Sequence, residues 1–305
     1  MTRILLTGST GQVGWEVQRT LMSLGEVITA GREVSSPGLH MDLAQPDTIR
    51  HVIREVQPDL IVNPAAYTAV DKAETEPDLA MAVNGTAPGV IAEEAKLIGA
   101  GIIHYSTDYV FNGTQAKPYT EEDEPDPQNI YGKTKLAGEK AIQAVNVPHL
   151  IVRTSWVYGL RGKNFLLTML KLAREREELK VVDDQVGAPT WSRMIAESTA
   201  NILSQGTEDL VGFLSSNSGI YHLTATGQTS WYGFAKAIFE YDPNLSQQKL
   251  KNLVAIPTDQ YPTPAKRPAY SSLDTHKITS TFGFYLQYWQ SNLELCLTEI
   301  PEKIG

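Results

Sequence analysis

Cysteine is almost missing from this chain: one, Cys296, in 305 residues. An intrachain disulfide and a cysteine metal cluster are both excluded. Cys296 is expected to act as a small apolar residue in a late helix. Long hydrophobic runs are missing too, and no stretch could span a bilayer. Positive charge is in short supply, with 26 Lys and Arg against 35 Asp and Glu and a net charge of -9. That balance repels nucleic acid and anionic membrane surfaces. It does not exclude a small anionic substrate, because a local pocket can oppose the global sign. Internal repeats and low-complexity linkers are absent, and the six histidines show no metal spacing. The chain opens directly on a strand pattern, so a cytoplasmic enzyme or binding protein is expected.

What is present is a regular alternation. "RILLTG" is a short apolar run ending in Thr-Gly, the pattern of a buried strand entering a turn. "QVGWEVQRTLMSLG" follows with helical spacing and Gly25 as a stop. "EVITAG" reads as a second strand. "PDTIRHVIREVQPD" is a helix with Pro46 just before its start, and "DLIVNPAA" a third strand. Residues 76–100 read as one long helix and "GIIHYSTD" as a fourth strand. "NIYGKTKLAGEKAIQAV" is a helix and "HLIVRTSWVYG" a fifth strand. Parallel strands need such crossovers, so the chain is expected to form an α/β, Rossmann-like, doubly wound parallel sheet. After residue 156 the regularity weakens. Helices are expected at 164–177, 191–205 and 230–241, strands at 178–185 and 219–224, and a last helical region around Trp289. A Pro-rich passage covers 256–274. This half is expected to form a smaller C-terminal substrate-binding lobe over the carboxyl ends of the strands. The cofactor domain would be 1–156 with 188–223, and the discontinuous lobe 157–187 with 224–305.

"TGSTGQVG" sets Gly8, Gly11 and Gly14 three apart between the first strand and the first helix. Glycines let the backbone turn sharply and approach a pyrophosphate, which then rests on the helix N-terminus. The end of the second strand selects between cofactors. An acid there commonly holds the ribose 2′-hydroxyl of NAD. Here Gly31 carries no side chain, and Arg32 could pair with a 2′-phosphate. Glu33 competes one residue later. The reading puts NADPH ahead of NADH.

Three segments should converge on the carboxyl edge: "NPAA", "YSTDYVF" and "YGKTK". Ser106, Thr107 and Asp108 end the fourth strand. Tyr131 and Lys135 stand at i and i+4 and share a helix face. Reducing a ketone needs a hydride for carbon and a proton for oxygen. A phenol can give that proton, but with an unperturbed pKa of about 10 its phenolate needs help. A nearby lysine ammonium favours the phenolate and can hold ribose hydroxyls. A threonine hydroxyl can donate to the carbonyl and orient it.

Together "TGSTGQVGWE", "AAYTAVDKAE", "YSTDYVFNG", "YGKTKLAGE", "RTSWVYG", "DDQVGAPT" and "YPTPAKRP" resemble the dTDP-4-dehydrorhamnose reductase family of extended short-chain dehydrogenases/reductases. The likeness runs from residue 2 to about 274. The glycine and Tyr/Lys motifs belong to the whole superfamily, whereas "AAYTAVDKAE" and "STDYVF" followed by "RTSWVYG" are more specific. The resemblance implies reduction of a nucleotide-sugar ketone, with Thr107, Tyr131 and Lys135 as catalytic trio. It implies cofactor contacts from Gly11, Gln12 and Val13 in the pyrophosphate loop and from Asp42 and Leu43 at the adenine. Ala65, Ala66, Tyr67 and Thr68 would meet the ribose side. Val70, Thr107, Asp108, Tyr109 and Trp156 would face substrate. Some relatives bind magnesium at a dimer interface through glutamates on the first helix and after "GAPT". Here Glu16 is present but Arg193 stands in the later segment, which speaks against both metal and that dimer. A monomer or weak homodimer is expected. Arg267 is open between a diphosphate contact and a surface salt bridge, and Lys72 and Glu74 read as structural. A nucleotide-sugar epimerase would use the same Tyr-Lys pair. A non-catalytic regulatory relative could lose Thr107 or Tyr131, and both are intact.

Overall fold

The computed structural model describes residues 1–33 and 38–301; the last four positions of the expected lobe lie outside them. The central sheet has seven strands: β1 (Arg3–Thr7), β2 (Glu26–Gly31), β3 (Leu39–His40), β4 (Leu60–Asn63), β5 (Gly101–Thr107), β6 (His149–Thr154) and β7 (Gly219–His222). Their order is β7-β6-β5-β4-β1-β2-β3, and every pairing is parallel. Between the strands run α1 (Gln12–Leu21), α2 (Pro46–Val56), α3 (Ala87–Ile98) and α4 (Ile130–Val145). After β6 come α5 (Phe165–Glu175) and α6 (Ser192–Ser204), and after β7 come α7 (Trp231–Glu240) and α8 (Trp289–Thr298). No helix among the described residues is long and apolar enough to cross a membrane.

The strands are apolar on both faces because both faces are covered. Ile4 and Leu6 of β1 join a core with Val17 and Leu21 of α1 and Ile195 and Ile202 of α6. Leu5 points the other way, into a core with Ile49 and Val52 of α2, Val90 and Ile91 of α3 and Ile142 of α4. The chain leaves β1 toward β2 on one side and returns to β4 on the other. That reversal opens a crevice at the carboxyl ends of β1 and β4, where such sheets take their ligands.

Two local differences from the sequence reading matter. Pro46 is the first residue of α2 rather than the one before it, a position where its missing N–H has no partner to lose. The expected long helix over 76–100 runs without a gap from Pro77 to Ile98, but it widens into a π turn at Ala82–Thr86 between Pro77–Met81 and α3. The wider turn holds Asn84, whose amide clamps the loop after β4.

The later half carries a second small sheet, in which Glu178–Val182 pairs in parallel with Asn252–Ile256. Phe165 and Phe234 stack at 5.5 Å, and Trp289 meets Phe234 edge-on. Phe234 and Trp289 belong to the same apolar core as Ile4 and Val17. The interior is therefore continuous from the sheet into the lobe.

Candidate active site

The glycine turn is built by exclusion of side chains. Gly8 has φ +60, a left-handed conformation that L side chains rarely adopt. A Cβ on Gly14 would lie 2.0 Å from the Gly8 carbonyl oxygen, so α1 can approach β1 only without one. The Gly11 amide donates to Gly8 O at 3.0 Å and closes the turn. No side chain caps α1, and its first turn holds no acid. Free amides and the helix dipole there suit a pyrophosphate. Val13 packs on the core. The Gln12 side chain accepts from Asn164 Nδ2 at 2.8 Å, so it ties the turn to the start of α5.

At the end of β2, a Cβ on Gly31 would meet only Glu33 O, at 4.0 Å, among the described residues. Arg32 and Glu33 are both exposed. The Asp42 carboxylate accepts from the Ala44 amide at 3.0 Å and from Gln45 Nε2 at 3.3 Å. It therefore shapes its own turn, with Leu43 buried beside it.

The loop after β4 carries Ala65, Ala66, Tyr67 and Thr68. Asn84 accepts from the Tyr67 amide at 2.8 Å and donates to the Tyr67 carbonyl at 3.0 Å. The Tyr67 hydroxyl donates to Glu76 at 2.6 Å, and that bond raises its pKa. Val70 begins a single helical turn, Val70–Ala73. Sequence reasoning missed Asn84, because a polar residue inside a helical run carries no signal until the π turn directs it.

β5 delivers Thr107 and Asp108. Thr107 is buried, and its hydroxyl donates to Asp108 Oδ1 at 3.0 Å while accepting from the Tyr109 amide at 3.2 Å. Burial pushes the Asp108 carboxyl up to about 6, against a stabilising hydrogen bond from Ser271. The Tyr109 ring meets Tyr131 edge-on at 5.6 Å.

α4 starts where it does because Asn129 caps it, accepting from the Gly132 amide at 2.8 Å, and Glu74 accepts from the Ile130 amide at 2.8 Å. Tyr131 is therefore fixed in the first turn. Burial pushes its phenol up to about 12, and the neighbouring Thr107 hydroxyl offsets part of that rise. Lys135, one turn on, is 2% exposed. Its Nζ donates to Tyr105 O at 2.6 Å and lies 3.4 Å from His104 Nε2. Burial lowers it to about 8, while Glu139 acts the other way. The largest influence on the Tyr131 phenol in this structure is its burial.

Trp156 has φ 45, rare for a bulky residue. Its indole lies flat on Trp231 at 3.5 Å and 3°, and a Cβ on Gly187 would meet its edge at 2.6 Å. One ring face is thus already covered. Trp231 Nε1 donates to Gln185 Oε1 at 3.2 Å. Sequence reasoning did not single out Trp231, which sits far along the chain in an amphipathic helix.

Arg267 forms a bidentate pair with Asp71, at 2.9 and 2.8 Å, which takes up the guanidinium fork that a diphosphate would need. Arg193 Nε reaches Glu16 at 3.3 Å, and its Nη1 pairs with Glu299. Glu16 and Glu299 thus share one guanidinium, and Glu197 also lies within its electrostatic reach. Among the described residues, no group of three or more His, Cys, Asp or Glu is placed to hold a metal ion.

A family model described as the RmlD substrate binding domain matches residues 1–301. The chain is 45% identical over 301 residues to a dTDP-4-dehydrorhamnose reductase of Burkholderia thailandensis, covering 98% of this chain and 99% of that one. It is 46% identical over 300 residues to the Escherichia coli (strain K12) protein of the same name, covering 97% of each. A crystal structure of dTDP-4-dehydrorhamnose reductase from Bacillus anthracis in complex with NADP aligns with TM-score 0.85 at 34% identity, covering 98% of this chain and 100% of that one.

Proposed function

The chain belongs to the RmlD substrate binding domain family, that of the dTDP-4-dehydrorhamnose reductases, and from that premise we propose that it reduces the C4 ketone of dTDP-4-dehydro-β-L-rhamnose to dTDP-β-L-rhamnose with NADPH. What supports the reading is the Thr107 hydroxyl acting on the Tyr131 phenol, with Lys135 buried one turn further along α4, in a chain whose glycine turn has no room for side chains.

The residues fit a dinucleotide: an uncapped helix start, a turn stripped of Cβ atoms and a side-chain-free end to β2. Gly8, Gly11 and Gly14 with Gln12 and Val13 would hold the pyrophosphate. Arg32 would meet a 2′-phosphate, with Asp42 and Leu43 at the adenine. The loop at 65–68 and Lys135 would hold ribose. When bound, NADPH supplies the hydride.

The protein supplies the proton and the geometry. A phenol raised to about 12 stays protonated at neutral pH, as a general acid must. Tyr131 gives that proton to the C4 oxygen as the alkoxide forms. Thr107 turns its hydroxyl from Asp108 to the same oxygen, so donors meet the developing charge. Trp156, braced by Trp231, packs against the sugar, with Val70, Asp108 and Tyr109 around it. The residues at 157–187 and 224–301 cover the nucleotide, and 1–156 with 188–223 carry the cofactor. Remote contacts to the dTDP group help hold the ketone in attack geometry.

The reading includes no metal, because Arg193 occupies Glu16 and Glu299. It takes the protein as a monomer or weak homodimer of the cytoplasm. The test is to incubate protein, NADPH and the ketosugar and identify the product by NMR. Stoichiometric NADPH oxidation with a C4 alcohol supports the reading. An epimerised ketosugar with no NADPH consumed favours an epimerase, and no change at all favours a non-catalytic relative.

A further inference from the structure

Behind Lys135 lies a row of buried polar groups that the reaction above does not use. Thr7 at the end of β1, Asn63 at the end of β4 and His104 in β5 are each no more than 2% exposed. Asn63 and His104 are direct partners across the sheet. Every other side chain of β4 is apolar, so a buried amide facing a buried imidazole is out of keeping with simple packing.

Donor and acceptor roles can be followed along the row. The Ala65 amide donates to Thr7 Oγ1 at 3.3 Å. The Thr7 hydroxyl donates to Asn63 Oδ1 at 2.6 Å. That turns Asn63 Nδ2 toward His104 Nδ1, at 3.1 Å. An amide nitrogen has only hydrogens to offer, so Nδ1 must be the bare ring nitrogen. Burial and Lys135 hold the imidazole well below its usual range, so it is neutral. A neutral ring bare at Nδ1 carries its proton on Nε2, and Nε2 lies 3.4 Å from Lys135 Nζ. Against an ammonium, that contact sets donor against donor. Against an amine, it is a hydrogen bond.

We propose that Thr7, Asn63 and His104 form a positioning chain for Lys135, in which His104 presents an N–H to the lysine nitrogen and biases it from ammonium toward amine. The inference rests on the reading that Lys135 serves the reduction. It deepens that reading by naming what sets the state of the lysine. The other ionisable groups around the lysine have other roles. Glu139, one turn further along α4, favours the ammonium, but Arg153 of β6 holds both its oxygens at 2.9 and 2.7 Å. Tyr131, one turn back, is a neutral phenol. The Tyr105 carbonyl accepts from Nζ in either state. A lysine biased in this way loses its charge at lower pH, so the row sets the alkaline edge of the range in which Lys135 serves as an ammonium.

Two variants separate positioning from packing. In His104→Gln the side-chain amide can place a donor where Nε2 stood. In His104→Asn the amide remains near Asn63 and leaves Lys135 without that donor. The alkaline limb of the kcat/KM profile reports the loss of the Lys135 charge. Removing an opposing donor favours the ammonium, so His104→Asn moves that limb to higher pH. About one unit is expected, the worth of one net hydrogen bond. His104→Gln keeps the limb within a few tenths of a unit. Equal shifts in both variants, or no shift in His104→Asn, would overturn the proposal.

The second measurement needs neither activity nor a variant that retains it. Nitrogen-15 NMR of the histidine rings in the unaltered full chain should show His104 neutral and protonated on Nε2. Its signals are identified by their loss in His104→Gln. If that variant does not fold, they are identified by their coupling to the neighbouring backbone. A ring protonated on Nδ1, or on both nitrogens at pH 7, overturns the proposal whether or not the ketosugar is reduced. Failure of the reduction with Nε2 protonated counts against the reductase reading alone.

Discussion

Trp156 lies flat against Trp231, ring centroids 3.5 Å apart and planes within 3°. The two residues are 75 positions apart, and Trp231 opens α7. An indole held in a left-handed backbone conformation stays there only if its surroundings hold it. Trp231→Ala should therefore loosen Trp156 and raise KM for the sugar nucleotide, with NADPH affinity changed less than twofold. An aromatic pair is worth roughly 0.5–1.5 kcal/mol beyond its buried area, so a KM increase of about three- to tenfold is expected. Steady-state kinetics with titration of NADPH fluorescence checks both parts.

Tyr131→Phe should keep NADPH binding and lose turnover by about two to four orders of magnitude. The phenol is neutral in the unaltered protein, so its removal subtracts a proton donor and no charge. A near-unaltered rate would remove Tyr131 from the mechanism.

NADPH should give a higher kcat/KM than NADH, and Arg32→Ala should shrink the ratio. A charge-assisted contact is worth roughly 1.5–3 kcal/mol, about ten- to a hundredfold. Equal use of both cofactors by the unaltered protein would defeat the argument from Gly31 and Arg32.

The kcat/KM profile should fall as pH rises through about 8. Burial lowers Lys135 to about 8 and raises Tyr131 to about 12. The lysine therefore loses its charge first, while the phenol still holds its proton. A limb above pH 10 would show that Lys135 keeps its charge against burial.

EDTA should leave both activity and size in solution unchanged, because Arg193 takes the carboxylates of Glu16 and Glu299. Light scattering with and without chelator reads size, and NADPH oxidation reads activity. A dimer that dissociates on chelation would mean that Glu197, whose pKa burial raises, completes a cation site.

The parts of the fold legible in the sequence are those whose signal is local. "RILLT" and "LIVN" announce themselves because a strand covered on both faces must be apolar throughout. The glycine turn and the Tyr131–Lys135 spacing are likewise contained within a few residues. The smaller lobe was harder to read because pairing makes its strands. Thr229–Ser230 is a strand only because Val186–Gly187 lies opposite. Asn252–Ile256, passed over in the sequence, exists as the partner of Glu178–Val182. Side-chain partnerships across long separations are equally invisible. Arg267 could not be decided between phosphate and salt bridge until Asp71 came beside it. His104, one of six histidines without metal spacing, stands out only once Asn63 and Lys135 lie beside its two ring nitrogens.

The apolar interior that runs without a break from Ile4 and Val17 to Phe234 and Trp289 ties the central sheet to the later part of the chain for folding. A fragment ending at residue 156 would expose the faces of β1, β4 and β5 that α6 and the lobe residues cover. Such bare apolar surface drives aggregation rather than a stable half-protein. A single melting transition is therefore expected, and limited proteolysis should release no fragment of the central sheet that survives alone.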